Sequence, residues 1–276
     1  MDSLLFGTAG IPISTKKRDT PNGIARVKEL KLGAMELEFV RGIYLKKDKT
    51  EEVKNVARKN NVVLTCHAPY FINLNTEDKK KYHASISYIV NSAKIASLCG
   101  TYSVCFHAGY YMKQDKEKVY KKIKEGIKQI LKEVKEFDKK IWIRPEISGK
   151  LSQFGDLDEV IKLSKEIDQV MPCIDFAHFH ARTNGKYNSY EEFNEILEKI
   201  EKGIGKTAIK NMHIHVSGIN YGEKGEKNHL TLKNSDFEYK ALMKSLKKFN
   251  VKGVLISESP NIEDDALLMK STFQKQ

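Results

Sequence analysis

Short apolar runs alternate along this chain with longer segments in which apolar residues recur every three or four positions. Runs of the first kind are typical of buried strands, and segments of the second kind are typical of amphipathic helices. The predicted strands span residues 4–6, 35–40, 62–66, 102–106, 140–144, 170–174, 209–214 and 251–257. The predicted helices span residues 22–32, 50–60, 76–98, 115–137, 157–167, 189–200, 235–248 and 262–271.

Eight strand–helix units therefore follow one another without a linker or a change of composition. This order favours a parallel sheet that closes into a (β/α)8 TIM barrel, and the 276 residues are close to the roughly 250 typical of that fold. An open, doubly wound sheet is the competing interpretation, but no GxGxxG or P-loop sequence follows a predicted strand. We predict one α/β domain that spans residues 1–276.

The chain carries a large excess of positive charge, with a formal net charge of +12 at pH 7. An excess of this size favours polyanionic partners, nucleic acid above all, because basic side chains neutralise phosphates and release counterions. A lysine-rich surface that only maintains solubility is the alternative. Charge alone does not separate the two interpretations.

The four cysteines, Cys66, Cys99, Cys105 and Cys173, have no CxxC spacing, and three of them lie in apolar runs. We therefore expect buried free thiols in a reducing compartment rather than disulfides. The amino terminus lacks the pattern of a signal peptide, and no apolar run approaches the roughly 20 residues of a membrane span. These observations predict a cytoplasmic protein without a membrane partner.

The segment from residue 173 to residue 180 concentrates candidate chemistry, because Asp175, His178 and His180 follow an apolar run directly. A strand that ends near Asp175 and turns would direct Asp175 and His178, about one helical turn apart, toward a common point. Carboxylate oxygens and imidazole nitrogens are ligands of zinc and similar divalent metals. A capped strand end with solvated histidines is the alternative interpretation of this segment.

Potential metal ligands follow six of the eight predicted strands, where the active sites of barrels are assembled. The strand-end residues are His67, His107, Glu146, Asp175, His213 and Glu258, and His178 and His229 follow on loops at the same end. Burying several such charges together without a cation would cost many kcal/mol. Eight ligands are too many for one tetrahedral zinc ion, so the pattern predicts two or three metals that share a carboxylate.

These residues resemble the endonuclease IV family. The resemblance is carried by 67–70 (HAPY), 72–74 (INL), 107–109 (HAG), Ile174-Asp175 with His178, and Met212-His213, and it extends from about residue 4 to residue 270. Members of that family are barrel enzymes that use three zinc ions to cut DNA on the 5′ side of abasic sites. They belong to a wider superfamily of sugar isomerases and epimerases that bind fewer metals.

The resemblance implies a role for each ligand. It gives His67 and His107 to one zinc, makes Glu146 the bridge to a second zinc completed by Asp175, His213 and Glu258, and gives His178 and His229 to a third. Manganese is an alternative to zinc. Water activated by the metals would attack phosphorus, and we expect Glu146 and Glu258 to hold or orient this nucleophile as the catalytic residues.

The third metal site departs from the family pattern, which has an aspartate two residues before the last histidine and an arginine after that aspartate. This chain has Lys227 and Asn228 at those positions. Glu226 is the candidate replacement if the loop shifts by one residue. Three other residues are weaker candidates, namely Glu223, His180 and His215.

The candidate DNA contacts are Tyr70, Asn73 and Arg41, on the loops after the third and second predicted strands. Loops at these positions in the family enter the minor groove and expose the abasic nucleotide. Packing around the barrel mouth is the alternative for the aromatic residues. We predict a monomeric enzyme that acts on abasic DNA and needs no obligate protein partner; a sugar isomerase or epimerase and a non-catalytic nucleic-acid-binding barrel are the alternatives.

Overall fold

Parallel strands form a curved eight-stranded sheet in the computed structural model, which describes residues 1–276. The strands of the protein are β1 (Leu4–Ala9), β2 (Ala34–Glu38), β3 (Val63–His67), β4 (Ser103–Phe106), β5 (Trp142–Pro145), β6 (Cys173–Asp175), β7 (Met212–Val216), β8 (Gly218–Gly222), β9 (Gly225–Leu230) and β10 (Gly253–Ser257). All but β8 and β9 belong to this sheet, whose order is β5-β4-β3-β2-β1-β10-β7-β6.

The two edges of this sheet meet and close the barrel. Ile143 of β5 bridges Val170 in a parallel sense, and Glu146 bridges Cys173 of β6 in the same way. The N–H of Ile147 donates to the carbonyl of Cys173 at 3.1 Å. The predicted single-domain TIM barrel is therefore confirmed.

Helices cover the outside of the barrel. They are α1 (Thr20–Glu29), α2 (Thr50–Asn60), α3 (Lys79–Leu98), α4 (Lys116–Val134), α5 (Leu157–Glu166), α6 (Phe176–Arg182), α7 (Tyr190–Ile204), α8 (Lys206–Ile209), α9 (Tyr239–Lys248) and α10 (Glu263–Gln274). The eight predicted helices are all present, and α6 and α8 are short additions. None of these helices combines the length and the apolar character needed to cross a membrane.

Alternation along each strand separates two environments. Outward residues such as Phe6 and Leu64 pack against the helices in one large apolar core. At the amino-terminal end of the strands, the barrel interior contains a small apolar cluster of Ala34, Val254 and Ile256. Toward the carboxyl-terminal end, buried polar side chains replace the apolar residues. The four cysteines are all buried and unpaired, as predicted.

The segment between β7 and α9 differs from its prediction as a long loop. It contains an antiparallel hairpin of β8 and β9, in which Asn220 pairs with Asn228 and Tyr221 pairs with Glu226. Lys227 is therefore an extra residue, and the ladder has a β-bulge at this point. The hairpin reaches the loop after β5 through the bridge between Gly225 and Lys150.

The amino terminus of α7 offers a test of local stability. Ser189 accepts the N–H of Glu192, whose carboxylate accepts the N–H groups of Tyr187, Asn188 and Ser189. These backbone hydrogen bonds lower the pKa of Glu192 to about 2. The ionised side chain therefore stabilises the fold above the ordinary glutamate pKa of about 4.3, and this stabilisation disappears as the pH falls toward 2.

We predict that Glu192→Ala lowers the free energy of unfolding by about 1 kcal/mol at pH 7. The difference from the parent protein should shrink as the pH falls below about 4, which urea titrations at several pH values would measure. Glu195→Ala, an exposed change on the same helix, is the control and should stay within about 0.5 kcal/mol. An equal loss in both variants would contradict the prediction.

Candidate metal centre

Glu146 lies at the centre of a ring of side chains delivered by the carboxyl ends of the strands. It follows β5 directly, and its N–H donates to the carbonyl of Phe106 at 3.0 Å. Its carboxylate is fully buried and has imidazoles on two sides. Oε2 lies 3.1 Å from Nε2 of His67 and 3.6 Å from Nε2 of His107, and Oε1 lies 3.2 Å from Nδ1 of His215 and 3.3 Å from Nδ1 of His178. Oε2 of Glu146 therefore completes a first group of donors with His67 and His107, and Oε1 faces a second group that contains His215.

A second group of donors combines three carboxylates with one imidazole. The ligand atoms of Glu146, Asp175, His215 and Glu258 all lie within 4.8 Å of one another. Asp175 Oδ2 and Glu258 Oε2 are buried without a hydrogen-bond partner. Because an unpaired buried carboxylate oxygen is costly, these two atoms fit a cation better than they fit an ion-free pocket.

His213 does not join this group. Its ring lies one layer deeper in the barrel, with Nε2 at 3.0 Å from Glu36 and Nδ1 at 3.0 Å from the Ser103 hydroxyl. β7 continues to Val216, two residues beyond the predicted end. The inward-facing residue of this strand at the carboxyl-terminal end of the barrel, which we call the rim, is therefore His215. His213 and His215 share the inward face, but two residues separate their backbones by about 7 Å along the strand.

A third group lies beside the first two and contains His178, His229 and Glu226. The turn from β6 into α6 brings His178 Nδ1 to 3.2 Å from Asp175 Oδ2. His178 Nε2 lies 3.2 Å from His229 Nε2 and 3.6 Å from Glu226, and Glu226 lies 3.9 Å from His229 Nε2. Both His229 and Glu226 are part of β9.

The bulge at Lys227 explains how Glu226 can face the same group as His229. In a regular strand, residues three positions apart point to opposite faces, and an extra residue between them removes this offset. Gly149 provides the space for the acid, since a Cβ atom there would lie 2.7 Å from Cβ of Glu226 and 3.0 Å from the His178 ring. The shift that the sequence required for Glu226 is thus present as a bulge.

In four of the five histidines at the carboxyl-terminal rim of the barrel, Nδ1 already has a neutral hydrogen-bond partner. Nδ1 of His67, His178 and His229 lies 2.7–3.2 Å from a backbone carbonyl oxygen, and Nδ1 of His107 lies 3.2 Å from the Ser148 hydroxyl. An imidazole whose Nδ1–H donates outward keeps the Nε2 lone pair for a metal. His215 has the opposite orientation, with Nδ1 toward Glu146 and Glu258.

The electrostatics of the side chains around Glu146 favour the binding of positive charge. Burial would raise the pKa of Glu146, but His107 and His215 hold it well below its usual range. Burial would lower the pKa of His67, but the hydrogen bond and the charge of Glu146 raise it to about 10. Divalent cations would compete with protons for this negatively charged pocket.

Two acids in this region were not singled out by the sequence analysis. Glu36 and Glu38 both point into the barrel from β2, and burial together with the charge of Glu36 raises the pKa of Glu38 to about 8. Their spacing of two residues within an apolar strand was the available signal, because alternation places both on the inner face. Six acids and six imidazoles consequently occupy this half of the barrel interior.

Two alternatives for the third group are excluded by position. His180 lies elsewhere, with Nε2 at 3.3 Å from Asp236 and its ring against Tyr221. Glu223 is exposed at the turn of the hairpin. Glu226 is thus the hairpin acid that accompanies His178 and His229, and Glu258 also brings a carboxylate oxygen within 4.8 Å of both histidines.

The predicted DNA contacts lie on neighbouring loops. Arg41 is exposed, and the N–H of Tyr70 donates to the carbonyl of Val40 beside it at 3.1 Å. Tyr70 is 59% exposed, three residues after His67. Asn73 is half-buried, and its amide oxygen accepts the N–H of Asn75 at 3.0 Å. Asn73 therefore organises the loop, whereas Tyr70 and Arg41 are free to contact a ligand.

Comparison with known proteins places the chain among barrel enzymes. Residues 24–273 match the family described as xylose isomerase-like TIM barrel. An uncharacterized protein of Methanocaldococcus jannaschii is 44% identical over 272 residues, which cover 99% of this chain and 97% of that protein. A probable endonuclease 4 of Oceanobacillus iheyensis is 28% identical over 160 residues. That match covers 56% of this chain and about half, 52%, of the relative.

Solved structures show the same barrel in two kinds of protein. Endonuclease IV from Thermus thermophilus superimposes with a TM-score of 0.75 at 18% identity, over 97% of this chain and 98% of that one. A D-tagatose 3-epimerase-like protein superimposes with a TM-score of 0.74 at 18% identity, over 97% and 96%. Together with the family match, these relatives confirm the resemblance to endonuclease IV and its wider superfamily.

Gly149 permits a test of the third group in which none of the candidate ligands is itself substituted. We predict that Gly149→Ala displaces Glu226 or His178 and lowers the number of divalent ions bound per chain by one. Gly126→Ala on α4, where a Cβ atom would have ordinary contacts of 3.4 Å, is the matched control and should keep the full metal content. Elemental analysis after dialysis measures both, and equal metal content in the two variants would contradict the prediction.

Proposed function

This chain belongs to the xylose isomerase-like TIM-barrel family, and we propose that it is a metal-dependent endonuclease that hydrolyses DNA on the 5′ side of abasic sites. The observation that carries the proposal is the third group of donors, in which His178 and His229 lie beside Glu226, next to the two groups that share Glu146. Three adjacent groups can hold three divalent ions. Such a number suits phosphodiester hydrolysis, in which charge develops on several oxygen atoms.

The proposed ligand sets follow the groups described above, with one change from the sequence-based assignment. His67, His107 and Glu146 would form the first set, Glu146, Asp175, His215 and Glu258 the second, and His178, His229 and Glu226 the third. His215 thereby takes the role that the resemblance gave to His213. The nitrogen and oxygen donors suit zinc and also manganese.

The bound ions would activate a water molecule and neutralise the charge of the scissile phosphate. The protein itself contributes preorganisation, because backbone carbonyls fix the rings of His67, His178 and His229. The Oε1 atoms of Glu146 and Glu258 lie 3.2 and 3.3 Å from Nδ1 of His215, and we assign these two carboxylates the orientation of the nucleophile. Burial of the ring excludes bulk water and strengthens every electrostatic contact within it.

The charge of the chain and the exposed aromatic residues beside the metal centre support a nucleic acid as substrate. The net charge of +12 favours a polyanion. Tyr70 is exposed three residues from His67, and its ring contacts the exposed ring of Phe71 with centroids 5.6 Å apart. Exposed aromatic rings beside a hydrolytic centre can stack against an unpaired base or fill the gap at an abasic site. We further propose that the enzyme acts as a monomer.

An epimerase of small ketoses is the second candidate. The group of Glu146, Asp175, His215 and Glu258 could hold one metal ion without help from the rest of the ring. The epimerase-like structure is as similar in fold as the endonuclease. A single ion in this group would be sufficient for an isomerisation, and the His178 group would then be unused.

We predict that Glu146→Gln lowers the rate of incision of an abasic oligonucleotide by at least about 100-fold, because it removes the carboxylate shared by two ligand sets. The measurement is incision of a duplex with one abasic site, by protein loaded with zinc or manganese. Glu195→Gln, on the exposed face of α7, is the matched control and should retain full activity.

The alternative activity is tested with the same preparations. Turnover of a ketose by the parent protein, with no incision at full metal loading, would refute the endonuclease proposal and favour the epimerase. Removal of the metals with a chelator should abolish incision, and addition of divalent ions should restore it.

We also predict that Tyr70→Ala weakens binding of abasic DNA by roughly 5- to 150-fold, as expected for loss of one stacking contact of about 1–3 kcal/mol. Affinity is measured with Glu146→Gln as the common background, so that the DNA stays intact. Phe137→Ala is the control, because Phe137 is a similarly exposed aromatic that precedes β5 at the opposite end of the barrel. Equal affinities of the Tyr70 and Phe137 variants would exclude a DNA contact by Tyr70.

A further inference from the structure

A second set of metal-binding side chains lies inside the barrel, one layer below the rim. It contains Cys105 of β4, Cys173 of β6, and His213 and His215 of β7. Their four ligand atoms lie within 4.8 Å of one another, and every one of these residues is 0% exposed. Glu36 of β2 borders the set and is also completely buried. Neither thiol has a role in the proposed hydrolysis.

The distances within this set match a tetrahedral coordination sphere. Zinc bonds of about 2.0 Å to nitrogen and about 2.3 Å to sulfur imply edges of about 3.3 Å between two nitrogens and about 3.5 Å between nitrogen and sulfur. The two Nε2 atoms of His213 and His215 are 3.2 Å apart. Cys105 Sγ lies 3.9 Å from Nε2 of His215. These values need only small adjustments to surround one ion.

Hydrogen bonds explain this arrangement less well. Nε2 of His215 lies 2.9 Å from Glu36 Oε1 and Nε2 of His213 lies 3.0 Å from Glu36 Oε2, yet Oε1 has no hydrogen-bond partner of acceptable geometry. Two Nε2–H groups directed at one carboxylate would also face each other across 3.2 Å. Buried donor and acceptor atoms that converge without satisfying one another are expected where a cation belongs.

A buried arginine beside the thiols supports the same conclusion. Arg144 is 1% exposed, its guanidinium donates to neutral oxygens of Pro172, Tyr102 and Asn211, and its Nε has no partner. It is the register partner of Cys105, and its Nη1 donates to the carbonyl of Pro172, next to Cys173, at 3.0 Å. All of these acceptors are neutral, and anionic sulfur ligands nearby would offset the buried positive charge.

We propose that Cys105, Cys173, His213 and Nε2 of His215 bind one thiophilic cation, zinc in the first instance, in a closed site that adjoins the rim and shares only His215 with it. Thiolate ligands give this site a preference for soft metals that the nitrogen and oxygen donors of the rim do not share. His215 belongs to both sites, since Nδ1 faces the rim and Nε2 faces the interior. With both occupied, its ring would bind through both nitrogens as an imidazolate, and its N–H proton would be released to solvent on metal binding.

Cobalt(II) is the probe that separates the two sites, because cobalt bound to thiolate has a near-ultraviolet charge-transfer band that cobalt bound to nitrogen and oxygen lacks. The full-length protein, stripped of metal and reloaded with cobalt(II), should show this band. The double variant Cys105→Ser/Cys173→Ser should lose the band and bind one ion fewer per chain. Persistence of the band in this variant, or its absence from the parent protein, would overturn the proposal.

Two control variants define the assignment. Cys66→Ser/Cys99→Ser changes the other two buried cysteines and should keep the band. His229→Ala disturbs the rim and should also keep the band, although it should lose incision of abasic DNA. A variant that loses incision but keeps the band has lost a rim site only. A variant that loses the band but keeps incision has lost the interior site only.

X-ray absorption at the zinc edge of the parent protein needs no variant and covers the case in which the double variant does not fold. The proposal requires sulfur scatterers at about 2.3 Å in addition to nitrogen and oxygen at about 2.0 Å. A spectrum of the fully loaded protein that contains nitrogen and oxygen shells alone would refute the interior site.

Discussion

The interior of this barrel is organised by the need to neutralise buried carboxylates. Glu146 has four imidazoles around one fully buried carboxylate, and Glu36 contacts one of these four, His215, together with a fifth, His213. Burying even one ion of this kind costs several kcal/mol unless its partners compensate the charge. Most barrels fill the same volume with layers of branched apolar residues. The polar half of this interior therefore lowers the stability that the apolar core supplies, and the cations proposed for it would offset this cost.

The local features of the fold were predictable because they depend on neighbouring residues. The helices were found from apolar periodicity, and α2 has the predicted bounds of residues 50–60. The end of β7 was not predictable in this way, because Ile214 is followed by a histidine that resembles the start of a loop. Pairing with β6 and β10 extends the strand to Val216, and this pairing joins residues about 40 positions apart. An error of two residues in the strand end changed the expected rim ligand from His215 to His213.

The hairpin after β7 illustrates a second limit. The sequence showed that the usual acid was absent before His229, and that Glu226 was one residue out of place. Whether the backbone could shift depends on a bulge in β9 and on the close approach of Gly149, which is remote in sequence. Only a docked hairpin reveals that this glycine leaves room for the acid. The three groups of ligands are consequently a property of the tertiary structure, although most of their members could be named from the strand ends.

His215 connects the two halves of the polar interior. Its ring has one nitrogen beside Glu146 and Glu258 and the other beside Glu36 and His213, so neither contact can change without moving the other. A rigid β-strand holds this ring, which limits the adjustment available to either side. The layer below the rim thus sets the orientation of a ligand in the rim itself. For this reason the thiols and Glu36 bear on the geometry of the candidate active site even though no substrate could reach them.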